Sequence, residues 1–87
     1  MIKKYKYKPI EINAIQYLGT NIKEIEDFIG CILFRYPDDN NELEGSLGIP
    51  TPKGIMKVPV GYYIVKDIKG EYYSYDPILF KNIYEEI

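Results

Sequence analysis

The chain has no histidine and a single cysteine, Cys31, in 87 residues. Without histidine there is no Ser-His-Asp or Cys-His arrangement, and the commonest general base is missing. A lone cysteine closes no disulfide within the chain, and the usual zinc sites are excluded with it. Charge of one sign is also lacking. The formal net charge is −2, which gives no global pull towards nucleic acid, and no DNA partner is expected. No apolar run approaches the length that crosses a bilayer, so no membrane partner is expected either. Met1 to Lys8 carries basic residues with no apolar run behind them, unlike a secretory leader, and a cytoplasmic protein is the expectation.

What is present suits a small globular domain. Hydrophobic residues make up 46% and charged residues 28%, a balance that argues against general disorder. The length predicts one domain over residues 1–87. A chain this short buries only about 60–65% of its unfolded surface, so self-association would help it. Lys3, Lys4, Lys6 and Lys8 form the one basic cluster, and a solvated, fraying terminus accounts for it.

Taken in order, Tyr5 to Tyr17 reads as a first strand, with Ile10, Ile12 and Ala14 alternating against Glu11 and Asn13. Ile15 and Tyr17 break that phase, which predicts a bulge near Asn13–Ala14 or burial on both faces. Pro9 makes the strand an edge, or its start. Asn21 is a candidate N-cap with Glu24 completing a capping box. Ile22, Ile25, Phe28 and Ile29 then share one helical face, and Gly30 ends the helix. Cys31 to Tyr36 predicts a second strand, with Ile32, Phe34 and Tyr36 alternating against Leu33 and Arg35. The run from Pro37 to Ser46 is turn-rich and acidic, but Asp38, Asp39, Glu42 and Glu44 do not match the EF-hand spacing, and a solvated loop is expected.

Leu47 to Thr51 and Ile55 to Val58 predict two strands around a tight turn at Pro52, Lys53 and Gly54. Another turn follows at Pro59–Val60–Gly61. Tyr62 to Ile68 and Glu71 to Tyr75 predict a hairpin around a two-residue Lys69–Gly70 loop. Asp76 and Pro77 start a second helix through Ile78, Leu79 and Phe80. Ile83 to Ile87 either extend it or, the preferred reading, return as a short closing strand. The expected fold is α+β: a small, mostly antiparallel sheet or partly open barrel of five to six short strands with two short helices.

No phosphate loop, dinucleotide fingerprint, nucleophile elbow or metal motif occurs. Ser46 and Ser74 have no activating pattern around them. Carboxylate pairs such as Glu24/Asp27 and Glu85/Glu86 lie on faces expected to be wet, where nothing drives their pKa values apart. No catalysis, metal or cofactor is expected.

The aromatic surface is the more informative feature. With a Lys69–Gly70 loop, Lys66 would sit opposite Tyr73 and Ile64 opposite Tyr75. Tyr62, Ile64, Lys66, Glu71, Tyr73 and Tyr75 would share one face, and Tyr63, Val65 and Tyr72 the other, core face. Flat rings beside a cation suit a planar anionic ligand such as a nucleotide. Packing at a sheet face or a subunit interface is the preferred reading of the same tyrosines, with ligand contact the alternative. The candidate ligand-contacting residues are Tyr62, Lys66, Lys69, Tyr73, Tyr75 and Gln16.

These residues also carry a resemblance. The chain resembles a widespread group of small proteins encoded by phages and prophages of Gram-positive bacteria. The likeness runs from the Lys/Tyr-rich start through Ala14–Ile15–Gln16–Tyr17, Asn21 to Gly30 and Ile49–Pro50–Thr51. It is most specific at Val58–Pro59–Val60–Gly61, Tyr63–Ile64–Val65–Lys66, Lys69–Gly70–Glu71–Tyr72–Tyr73 and Pro77 to Phe80. The group usually has an acidic residue where Tyr62 stands, proline at Ser74, cysteine at Tyr75 and lysine at Asp76. The resemblance implies a phage protein acting in the cytoplasm of a bacterial host. Small phage proteins of this type include immune-evasion sponges, homo-oligomers that sequester the cyclic oligonucleotide signals of antiphage systems such as CBASS without any chemistry. A protein–protein interaction module, an inhibitor of a host defence enzyme or a minor structural phage protein is the alternative expectation.

Overall fold

A computed structural model of the chain describes residues 1–5, 11–36 and 45–87. Within them the elements follow in the order β1 (Asn13–Gln16), α1 (Ile22–Ile29), β2 (Phe34–Arg35), β3 (Leu47–Thr51), β4 (Gly54–Val58), β5 (Tyr63–Lys66), β6 (Tyr72–Tyr75) and α2 (Pro77–Ile83). The strands pair antiparallel in two sheets of three, ordered β1-β5-β6 and β2-β3-β4. This is the expected small α+β fold, built as two separate sheets with no closed barrel. The acidic residues 38, 39, 42 and 44, Pro9, and Lys6 and Lys8 lie outside the described residues.

Helix α1 forms because its apolar residues recur at helical spacing and Gly30 stops it. Gly30 takes φ +92°, and its N–H donates to the Glu26 carbonyl. The expected capping box is replaced by another arrangement. Asn21 Oδ1 accepts from the Leu18 N–H at 2.8 Å, while its Nδ2 donates to the Gln16 carbonyl at 2.8 Å and to Glu24 Oε1 at 3.2 Å. Asn21 therefore ties the end of β1 to the helix entry instead of accepting from the first helical turn. β1 pairs with β5 without the expected bulge, from Asn13 opposite Lys66 to Gln16 opposite Tyr63. The phase that matters is that of Ile15 and Tyr17, not that of Ile12 and Ala14.

The β5–β6 hairpin departs from expectation by one residue. Asp67 and Glu71 close it, with the Asp67 N–H donating to the Glu71 carbonyl at 2.9 Å, so the loop is Ile68–Lys69–Gly70. Asp67 Oδ1 accepts from the backbone N–H groups of both Lys69 and Glu71 at 2.9 Å. That acceptor favours a three-residue loop with Gly70 at φ +82° over the two-residue alternative. Lys66 now faces Tyr72, and Val65 faces Tyr73. A slip of one residue exchanges every side chain of β6 between faces. Tyr72 and Ser74 join Ile64 and Lys66, whereas Tyr73 and Tyr75 join Tyr63 and Val65.

The β1-β5-β6 sheet is packed on both sides. On one side Ile64 meets Tyr17, Ile25, Leu33, Leu47, Ile49 and Val58 in the main core, which lies between the two sheets and α1. On the other lies α2. Asp76 caps it by accepting from the Leu79 N–H at 2.8 Å, and Pro77 occupies its first turn. Phe80 stacks on Tyr63 at 4.0 Å between centroids, with the rings 3° from parallel, and Tyr84 meets both Phe80 and Tyr75. Residues 84–87 form no further strand, so the closing strand expected at Ile83 to Ile87 does not exist.

Candidate functional site

The corrected register dissolves the single aromatic face expected of the hairpin. Lys66 and Tyr73 stand on opposite sides of the sheet. Tyr75 is a packing residue, edge-on to Tyr84 at 6.0 Å. Tyr62 packs against the core and lines a second hollow, of about 440 Å³, with Asp76 and Pro77 beside α2. Gln16 Nε2 donates to the Gly61 carbonyl at 3.0 Å and so braces the turn before β5. Lys69 is exposed in the hairpin loop.

What the fold does bring together is the tips of two hairpins. An open groove of about 630 Å³ lies between them. One wall comes from the tip of the β3–β4 hairpin, every residue from Pro50 to Met56, Ile55 included. The other comes from β6 and its loop: Gly70, Glu71, Tyr72 and Tyr73. Its volume lies within the range of small-molecule sites. The first wall is shaped by a two-residue turn in which Thr51 Oγ1 donates to the Gly54 carbonyl at 2.6 Å and accepts from the Lys53 N–H at 3.3 Å. Gly54 takes φ +119°, open only to glycine without strain.

The second wall is set by two tyrosines held differently. Tyr72 meets Phe28 edge-on at 6.1 Å, and its hydroxyl reaches towards the Ile29 carbonyl at 3.4 Å. Lys66 Nζ sits 5.9 Å from the Tyr72 ring centroid, within cation–π range. Tyr73 is exposed, and its hydroxyl donates to Glu71 Oε2 at 2.7 Å. The phenol is pushed up to about 12, chiefly by that hydrogen bond, with burial and the Glu71 and Asp67 charges adding to it. At neutral pH it is protonated and donates to the Glu71 carboxylate. The groove thus combines aromatic surface, the Lys53 ammonium, two glycine-lined turns and one carboxylate.

Of the six expected contact residues, only Tyr73 lines this groove. Lys66 reaches it through Tyr72, and Lys69 stands next to Gly70 on its rim. Tyr72, expected in the core, does pack against it, on the Ile64 side of the sheet, and also lines the groove. Thr51, Lys53 and Met56 carried no sequence signal for a site. Only the approach of two distant hairpins enlists them.

Two further polar groups stand out. Arg35 lies opposite Leu47 and so faces the interior, where its Nε and Nη2 are buried with no hydrogen-bond partner among the described residues. The neighbouring Tyr17 is fully buried and donates to the Gly45 carbonyl at 2.9 Å. Burial raises the Tyr17 phenol, and the Arg35 charge acts against that rise. Among the described residues no group of three or more cysteines and carboxylates is gathered to hold a metal, and no helix is long and apolar enough to cross a membrane. No family model matches this chain, and no curated protein or solved structure gives a match.

Proposed function

We propose that the chain is a non-catalytic binding protein whose inter-hairpin groove takes a small planar anion of the nucleotide type. The observation that carries this reading is the groove itself, a hollow of about 630 Å³ walled by Tyr72 and Tyr73 on one side and Lys53 on the other. Bases stack on tyrosine rings, and ammonium groups meet phosphates. Glu71 disfavours phosphate at its own end, so phosphates belong near Lys53, and a base edge belongs near the Glu71–Tyr73 pair. The phage resemblance adds the biological sense: sequestration of a cyclic oligonucleotide immune signal in the host cytoplasm, with binding and no turnover.

Calorimetry against a panel of cyclic di- and trinucleotides tests it. Binding should be seen at protein concentrations of tens of micromolar, about the range where sequestration is useful. Tyr73→Ala should weaken it by about 10-fold or more, in line with one lost stacking contact. No heat at those concentrations would remove the reading.

A second reading, an interaction module or inhibitor of a host enzyme, is favoured by the outer side of α2. Ile78 is 76% exposed, and Leu79 and Ile83 are exposed beside it. A stoichiometric host protein captured by the native chain and lost with Ile78→Glu, with no nucleotide bound, would select that reading.

A further inference from the structure

The two walls of the inter-hairpin groove differ in what they can offer a ligand. On the β5–β6 side the N–H groups of Lys69, Gly70 and Glu71 are all engaged by Asp67. Its Oδ1 accepts from Lys69 and Glu71 at 2.9 Å, and its carbonyl accepts from Gly70 at 3.0 Å. The Tyr73 hydroxyl is committed as well, since it donates to Glu71 Oε2 at 2.7 Å. With its one O–H engaged, the phenol oxygen can only accept. The Glu71 carboxylate keeps most of its capacity. Its two oxygens carry about four lone-pair sites, and the Tyr73 hydroxyl fills one of them. Among the described residues Oε1 has no partner, and no lysine forms an ion pair with the carboxylate. This end of the groove therefore presents an acceptor fork beside aromatic rings, while the opposite wall carries the Lys53 ammonium.

Such a fork discriminates between bases by their edges. The edge that meets it must donate at two adjacent positions. Guanine does so through N1–H and its N2 amino group, and a carboxylate that accepts from both makes two parallel charge-assisted hydrogen bonds. Adenine and cytosine each set one amino donor beside a ring-nitrogen acceptor, which would face the second carboxylate oxygen lone pair to lone pair. Uracil and thymine flank a single N–H with two carbonyls. An arginine guanidinium offers the same fork as guanine, but its charge would meet Lys53 across the groove, whereas guanine carries the fork without charge. A purine also gives Tyr73, whose ring side is 43% exposed, the larger surface to stack on.

We propose that Glu71 makes the groove selective for guanine: its carboxylate accepts from N1–H and the N2 amino group of a guanine base stacked against Tyr73, with the phosphates directed to Lys53. Selectivity of this kind rests on the reading of the groove as a nucleotide site, and adds to that reading the base and the residue that chooses it. Glu71 is a specificity-determining residue here and no general source of nucleotide affinity. A carboxylate beside a phosphate-bearing ligand weakens binding unless the base engages it, so the same group that favours guanine acts against bases that cannot donate to it.

Calorimetry on the full chain with three cyclic dinucleotides, carrying two guanines, two hypoxanthines or two adenines, tests the proposal. The guanine form should bind at least about 10-fold more tightly than the adenine form, the scale of one good bidentate base contact. Hypoxanthine keeps N1–H and lacks the amino group, so its form should fall between the two. Glu71 is exposed, so its substitution leaves the fold intact. In Glu71→Gln the side chain offers one acceptor and one donor, and the guanine-to-adenine affinity ratio should drop to within about 3-fold. Equal binding of the guanine and adenine forms, or a preference for adenine, overturns the selectivity and leaves the nucleotide reading standing. A guanine preference that Glu71→Gln does not reduce overturns it too, since the choice then lies elsewhere. Silence of all three forms while another cyclic nucleotide binds overturns the selectivity alone. Silence of every cyclic nucleotide removes the nucleotide reading as well.

Discussion

The two sheets of this molecule have the same number of strands and opposite situations. β1-β5-β6 is sandwiched: Ile64 reaches the main core on one side, and Tyr63 lies beneath Phe80 on the other. β2-β3-β4 offers Leu47, Ile49 and Val58 to that same core and shows Phe34 and Ile55 to solvent. Stability should therefore be concentrated in the first sheet. The difference also explains why tyrosine count misleads here. Tyr63 and Tyr75 are spent on holding α2, while the rings left in the open include Phe34 of the sheet whose strands carry no tyrosine.

The sharpest way to break this contrast is Ile64→Ala against Ile55→Ala. Ile64 is fully buried on the central strand of its sheet, and the truncation should cost about 2–5 kcal/mol. Ile55→Ala should change the unfolding free energy by less than about 0.5 kcal/mol. Urea unfolding of both variants reads the difference. Equal losses would mean the two sheets are equally structural.

The second faces give the next largest effect. Phe80→Ala removes the ring stacked on Tyr63 and its contact with Tyr84. Phe80 is half-buried, so the loss should be about 1.5–3 kcal/mol, below that of a fully buried ring. Phe34→Ala, at a position 51% exposed, should cost less than about 1 kcal/mol. Asp76→Ala removes the cap on α2, worth about 1 kcal/mol, and Asp76→Asn should restore most of it. The Asp76 pair separates the cap from the stack, since only the cap is rescued by a neutral acceptor.

Much of this was legible in the residues. Gly30, the Ile22/Ile25/Phe28/Ile29 stripe and the Asp76–Pro77 start specify their helices locally, and Thr51–Pro52–Lys53–Gly54 specifies its turn. These are signals within a few positions of one another, and they hold wherever the chain later packs. The register of the β5–β6 hairpin was not legible in the same way. Lys69–Gly70 marks a turn, but Asp67, two residues before it, selects the loop length by accepting from two backbone N–H groups. One residue of loop decides which face four β6 side chains take, and with them the make-up of the site. β2 was legible as alternation and not as orientation, since a pattern gives two faces without saying which is inward. Lys53 and Thr51 became groove residues only through a contact between hairpins distant in the chain, which no local pattern encodes.

The smallest expected effect tests the tip of the first sheet's hairpin against that of the second. At the β3–β4 tip, Thr51 bonds only backbone. At the β5–β6 tip, Glu71 holds the Tyr73 phenol up to about 12, from an ordinary 10.0, with their hydrogen bond the main cause. A phenol held protonated by the fold contributes its stabilisation in full below the unfolded value. That contribution is lost as pH climbs from about 10 through about 12, so stability should fall with pH across that window and be flat below it. Because Tyr73 is on the surface, the slope should be slight. The site-resolved signal is clearer: in protein labelled with ¹³C at tyrosine Cζ, the Tyr73 resonance should titrate near 12. In Glu71→Gln the amide accepts more weakly and carries no charge, and the midpoint should move back towards 10. A Tyr73 midpoint that Glu71→Gln leaves in place would mean that Glu71 does not hold the ring, and the fixed aromatic wall of the groove would lose its physical basis.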